Sequence, residues 1–247
     1  MNKHQTRRLL GTLVVALIPL AVSGLQGCSA MKNAGIVPVN PAENPAQGPL
    51  AVDVDNYRGT VTVEVNPKLK EPIVLAVPRG GDRSHQWTAA TMAVDAGHPV
   101  LRVLSTEPSA GAGPAIDITI RVPQCAGVRV RNEGGQVTLR DVEGAIDAQT
   151  SVAERGNGAI LVETVAPLTE PVLLRTQRGR IELRMPVRSA GAIRAEAPSG
   201  HISVDATRGR LKNVRFENHV WTGGLNDGTA DMHLSTDDGD IVVSVGR

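Results

Sequence analysis

Residues 172–183 read Val-Leu-Leu-Arg-Thr-Gln-Arg-Gly-Arg-Ile-Glu-Leu. With Gly179 as the origin, apolar residues stand at −7 and −5 (Val172, Leu174) and at +2 and +4 (Ile181, Leu183). The same mask fits Gly59 with Val52, Val54, Val61 and Val63, and Gly135 with Val128, Val130, Val137 and Leu139. It fits Gly200 with Ile193, Ala195, Ile202 and Val204, and Gly239 with Met232, Leu234, Ile241 and Val243. Alternation of period two on both sides of a glycine reads as two short strands joined by a turn. Glycine supplies the positive φ that other residues reach only with strain. Three residues before it stand Asn56, Asn132, Thr176 or Thr236, short polar side chains suited to bonding turn backbone; the fifth unit has Ala197.

The units also chain together. Gly144 uses Val137 and Leu139 as its preceding pair, and Gly158, Gly179 and Gly200 are spaced by 21 residues. Gly200 to Gly239 is 39, near two such periods, with an interruption at Trp221 to Gly228. A period near 20 is in the range of β-solenoid coils, which bury their apolar faces by stacking. The expected fold is therefore all-β, a β-solenoid of short Gly-cornered strands. Alternation also fits an antiparallel β-sandwich with glycine-containing hairpins, and that alternative stays open. Residues 64–123 are less regular: Ile73 to Val77, Met92 to Val94, Val100 to Leu104 and Ile116 to Val122 read as strands. Gly80 to Ser84 and Pro108 to Pro114 read as loops.

The order Val52-x-Val54-x-Asn56-x-x-Gly59-x-Val61-x-Val63, then Ile116-x-Ile118-x-Ile120-x-Val122-Pro123, then Val128-x-Val130-x-Asn132-x-x-Gly135-x-Val137 resembles the bacterial putative-adhesin β-repeat domain, a domain of unknown function. The resemblance covers about residues 50–247 and rests on structural motifs. It implies a solenoid-like body in an envelope protein, and it carries no catalytic residue over to this chain.

The beginning of the chain reads as an address. Lys3, Arg7 and Arg8 precede an apolar run from Leu9 to Val22. Fourteen residues are short for a membrane span and suit the core of a secretory signal. Leu25-Gln26-Gly27-Cys28 looks like a bacterial lipobox, so residues 1–27 are expected to be a lipoprotein signal peptide, with Cys28 lipidated. A diacylglycerol plus an acyl chain such as palmitate anchors firmly, since each buried CH₂ contributes ~0.8 kcal/mol. Ser29 in place of Asp favours the outer membrane. Residues 28–49, with Pro38, Pro41, Pro45 and Pro49, read as a Pro-rich tether. Residues 50–247 form the repeat domain. Cys125 is then left as a lone, buried small residue.

Composition narrows the function classes. The 247 residues hold four aromatics and a formal charge of +1, which speaks against stacking on single strands and against nucleic acid generally. The histidines form no metal motif, no serine stands in a Gly-x-Ser-x-Gly context, and no phosphate-binding glycine loop is present. Asp237, Asp238 and Asp240 make the densest carboxylate cluster, but Asp-Asp-Gly-Asp is also ordinary turn composition, so no metal and no cofactor is assigned.

Charge is unevenly placed. Arg175 to Arg215 carries ten basic residues against three acidic, whereas Glu217 to Arg247 carries six acidic against one basic. If sequence position maps to height along a solenoid, a basic band lies next to an acidic end. The candidate binding residues are Arg175, Arg178, Arg180, Arg184, Arg194, Arg208 and Arg210. Arginine suits bidentate contact with phosphate or carboxylate, which points to anionic glycolipid, acidic polysaccharide or envelope proteins. The bland reading is a solvated outer face. The reading that results is a lipid-anchored, non-catalytic binding or adhesion surface. A carbohydrate-active β-helix enzyme and a structural or regulatory envelope partner are the alternatives. The Ile241 to Val245 segment is expected to leave an unpaired edge that invites strand addition.

Overall fold

Alternating burial follows the sequence mask: Val172, Leu174, Ile181 and Leu183 are all buried, as are their counterparts around Gly59, Gly135 and Gly239. The computed structural model describes residues 35–42, 48–79, 87–107, 114–150 and 157–246. The signal segment and Cys28 lie outside the described residues, as do residues 80–86 and 108–113.

The described residues form twenty strands and almost no other regular structure. In chain order they are β1 (Ile36–Val37), β2 (Val39–Asn40), β3 (Ala51–Asn56), β4 (Val61–Val65) and β5 (Ile73–Pro78). Then come β6 (Thr88–Asp95), β7 (His98–Ser105), β8 (Ile116–Val122), β9 (Gly127–Asn132) and β10 (Val137–Arg140). Next are β11 (Ala145–Thr150), β12 (Ile160–Glu163), β13 (Val172–Arg178), β14 (Ile181–Met185) and β15 (Gly191–Glu196). The last are β16 (Ile202–Asp205), β17 (Leu211–Glu217), β18 (Val220–Leu225), β19 (Asp231–Asp238) and β20 (Ile241–Val245). They form two mixed sheets. The first has the order β1-β5-β8-β4-β10-β12-β14-β20-β16, the second β17-β18-β15-β19-β13-β11-β9-β3-β7-β6-β2.

The glycine units are not hairpins. In each, the strand before the glycine belongs to the second sheet and the strand after it to the first, as with β3 and β4 or β13 and β14. Neighbours from β8 to β16 in the first sheet and from β15 to β7 in the second are parallel and in register. Antiparallel pairing is confined to the outlying strands, β1-β5-β8, β6-β7 and β15-β18-β17. The buried aliphatic side chains of both sheets form one core cluster. Small branched residues fill it, which accounts for the near absence of aromatics.

A polar ladder runs through that core beside the glycine turns. Asn56, Asn132, Thr150, Thr176 and Thr236 share one register row and are buried. Each of the later four reaches a carbonyl in the turn stacked next to it: Asn132 Nδ2 donates to Gly59 O at 2.9 Å, and Thr150 Oγ1 to Gly135 O at 2.7 Å. Thr176 Oγ1 donates to Gly158 O at 2.8 Å and Thr236 Oγ1 to Gly179 O at 3.0 Å. Buried turn carbonyls need such partners. The turns stack so closely that glycine is needed for space as well as conformation. A Cβ on Gly179, whose φ is +135°, would meet Gly158 O at 2.2 Å. Gly200 lies outside the left-handed region, yet its Cβ would meet Gly239 O at 1.8 Å.

Three expectations are corrected by the topology. Sequence position does not map to height: β3 and β4 lie between β7/β8 and β9/β10, and β19 and β20 lie between β13/β14 and β15/β16. Any two in-register parallel strands of this pattern are acceptable neighbours, so the longer returning segments decide which ones meet. The Ile241 to Val245 segment is therefore no edge; as β20 it pairs with β14 and β16. Part of the expected tether is also ordered. β1 pairs with β5 and β2 with β6, because Val37 can bury its side chain, at 3% exposure, over the end of the core.

Candidate binding surface

Outward positions on the two sheets carry the charge. On the second sheet, Asp53 of β3 stands between Arg102 of β7 and Arg129 of β9, and Asp147 of β11 follows Arg129. Arg129 Nε lies 2.8 Å from Asp53 Oδ1. On the first sheet the row Arg121, Glu64, Arg140 and Glu163 alternates in sign and continues to Arg184, Ser244 and Asp205. Opposite charges on neighbouring strands each contribute roughly 0.2–1 kcal/mol, whereas like charges would destabilise. Parallel register makes every outward residue a neighbour of its equivalent, so sign alternation is what lets charged strands stack.

The candidate arginines fall into separate places. Arg175 and Arg194 lie on strands of the second sheet and are exposed. Arg175 is flanked by Gln149 and Ser235, and Arg194 by His233 and Thr222. Arg194 bonds Glu196, whose Oε1 lies 3.3 Å from His233 Nε2. The hydrogen bond from Arg194 is the main cause holding the Glu196 carboxyl below the usual carboxylate range. Arg178 and Arg180 flank Gly179 at the turn. Arg178 pairs in register with Asp238, and Arg180 lies 3.6 Å from Glu182. Arg184, on the first sheet, donates from Nε to Glu182 at 2.7 Å. Arg208 donates to Gly246 O at 3.2 Å, and the Arg210 amide is held by Asn226. Arg184 and Arg208 share a depression of about 340 Å³ with Asp205 and Ser244.

The acidic terminal strand lies among these residues because β19 separates β13 from β15. Asp240 is engaged locally, its Oδ1 accepting the His201 amide at 2.9 Å. Among the described residues, no three or more His, Cys, Asp or Glu side chains gather as a metal would require.

Two shallow grooves on the outer face of the second sheet escaped the sequence reading. One of about 450 Å³ has Ala51, Gly127 and Ala145 along its floor and Asp53, Arg129 and Asp147 beside them. The other, of about 450 Å³, is lined by Ala192, Gly224, Arg194, His233, Thr222 and Asp231 among others. A signal was present: the residue eight before the unit glycine is Ala51, Gly127, Pro171 or Ala192 in four of the five units. Small residues in one row leave a trough between taller neighbours.

No protein-family model and no curated protein matches this chain. Among solved structures, that of a putative cell adhesion protein from Clostridium sporogenes matches over 80% of this chain and 92% of its own. Its TM-score is 0.57 at 10% identity. The structure of a putative adhesin from Bacteroides fragilis covers 80% of this chain and 93% of its own, at 11% identity and a TM-score of 0.35. The first of these likenesses supports an adhesin-like fold, and it is one of fold alone.

Proposed function

We propose that the chain is a lipid-anchored envelope protein, held through Cys28 in the outer membrane, whose two sheets form a β-solenoid with a non-catalytic binding or adhesion surface. The carrying observation is the run of parallel, in-register strands in both sheets, which places outward residues in rows with shallow grooves between them. The glycine turns that pass from one sheet to the other support the solenoid reading over hairpins. The neighbour described as a putative cell adhesion protein supports the adhesive reading. The ligand is anionic envelope material, a phosphate-bearing glycolipid or an acidic polysaccharide, contacting the arginines at the turn and on the second sheet. Arg175 is exposed and, among the described residues, forms no ion pair, which makes it the most available of them.

The test uses vesicles doped with a phosphate-bearing glycolipid and a Cys28→Ser variant, so that binding does not pass through the anchor. Binding should weaken steeply with salt. It should fall about tenfold or more in Arg178→Glu plus Arg180→Glu, as two charge reversals of roughly 1 kcal/mol or more each imply. Equal binding by the double variant at low salt would refute the anionic ligand. Absence of radiolabelled palmitate from the wild-type chain in cells would refute the anchor.

A further inference from the structure

The two ends of the paired sheets are finished differently. At one end β1 and β2, joined through Pro38, add one strand to each sheet and bury Val37. At the other end the first sheet stops at β16, while the second runs on through β18 and β17. Two strands at about 4.8 Å each make an overhang of about 10 Å. No described strand faces it.

The inner side of that overhang is apolar. Phe216 stands directly opposite Trp221 in the antiparallel β17–β18 pair, so the two share a face, and Trp221 belongs to the core. Phe216 is nevertheless 61% exposed, and Val214 50%. Ile202 and Val204 of β16 are only half-buried, whereas their register partners Ile241 and Val243 are fully buried. The backbone of β16 is open on the same side. Ile241 donates to His201 O at 2.8 Å, so in a parallel ladder Ser203 also turns toward β20. The N–H and C=O groups of Ile202 and Val204 then face the vacant side.

We propose that β16 is a strand-addition site for an extended segment of another polypeptide, apolar at alternate positions and basic at the position beside Asp205. Strand addition of this kind draws affinity from main-chain hydrogen bonds and specificity from alternate side chains. The charge follows from the row Glu163, Arg184, Ser244, Asp205, which alternates along the sheet and ends on a carboxylate. Among the described residues Asp205 accepts only the Thr207 amide. The mature chain's own segments outside the described structure do not suit the position: with residues 1–27 removed as the proposed signal peptide, residues 28–34, 43–47, 80–86, 108–113 and 151–156 contain no two Val, Ile, Leu or Met at alternate positions. A two-fold pairing of β16 with β16 of a second copy is sterically blocked, because the overhanging strands of both copies would have to share one place. The site borders the depression that Asp205 shares with Arg184 and Arg208, but its main-chain hydrogen bonds do not depend on those arginines.

The probe is a fluorescein-labelled peptide copying residues 180–186, Arg-Ile-Glu-Leu-Arg-Met-Pro. Arg184 shares a row with Ser244 and Asp205, so in that register the peptide's second arginine stands beside Asp205. With the full mature chain in detergent, anisotropy should saturate, and the Ile202 and Val204 amides should become protected from hydrogen exchange. Val204→Pro removes an edge donor and should weaken binding at least about fivefold. Asp205→Arg should weaken it up to about fivefold, and a peptide with Glu in place of that arginine should regain affinity for this variant. No saturation by about 1 mM peptide, or indifference to both variants, overturns the proposal. So does protection of the edge amides in the free protein, whether constant, which means this chain already covers them, or rising with concentration, which means that copies pair.

Discussion

At Gly179 two demands coincide, a φ of +135° and a neighbouring carbonyl 2.2 Å from where a Cβ would lie. Gly97 has the first demand alone, with φ +84° and nothing within 4 Å. Gly97→Ala should therefore cost about 1 kcal/mol, and Gly179→Ala about 3 kcal/mol or more, because the stacked turns must move apart. Urea denaturation of the two variants measures the difference, and equal costs would mean that the stacking is unimportant. Cys125 tests burial in a different way. Removal from water pushes its thiol from the usual 9.0 up to about 11. In a Cys28→Ser background, iodoacetamide at pH 8 should label it slowly when folded and quickly in urea. Between those two values the unfolded chain loses this proton and the folded chain keeps it, so the thiol's contribution to stability declines as pH rises above about 9.

Among the elements, β19 and β20 show how far topology departs from chain order. They are last in sequence yet interior to both sheets, β20 one strand from the β16 edge, with Leu234 and Val243 fully buried. Removing residues 231–247 should leave β14 and β16, and β13 and β15, without their shared neighbours. The expected outcome is loss of the cooperative thermal transition followed by circular dichroism. A truncated chain that still melts cooperatively within about 5 °C of the parent would contradict that placement. The edge β17 shows another element-level device. Its register shifts between Lys212 and Arg215, and bulges with edge cations discourage uncontrolled pairing. β16 lacks a bulge, in keeping with an edge that accepts a partner.

For the whole molecule, the pairings join distant parts of the chain. Arg129 meets Asp53 across 76 residues, and Thr236 meets Gly179 across 57. Loop closure must precede the contacts that reward it, so folding of such topologies is slow. Both the first and the last glycine units also enter between layers formed by other segments. Refolding followed by Trp221 fluorescence should extend to seconds or longer. Complete recovery within a few milliseconds would be inconsistent with these insertions. Burial of Trp221 within the overhang makes it a reporter of that end of the molecule.

Much was legible because alternation and glycine spacing are local properties. The mask around Gly59, Gly135, Gly179, Gly200 and Gly239 identified the strands, their inward faces and the turns, and the polar residue three before the glycine marked a ladder. Period two specifies which side of a strand is apolar, and that much the chain determines alone. It does not specify which strand lies alongside. Only the tertiary structure decided that β3 enters between β7 and β9 and that β19 separates β13 from β15, because parallel strands with one shared pattern are interchangeable until the connecting segments choose among them. For the same reason the basic stretch, continuous in sequence, is distributed over two sheets and a row of turns, and the open edge belongs to β16 and not to the strand nearest the end of the chain.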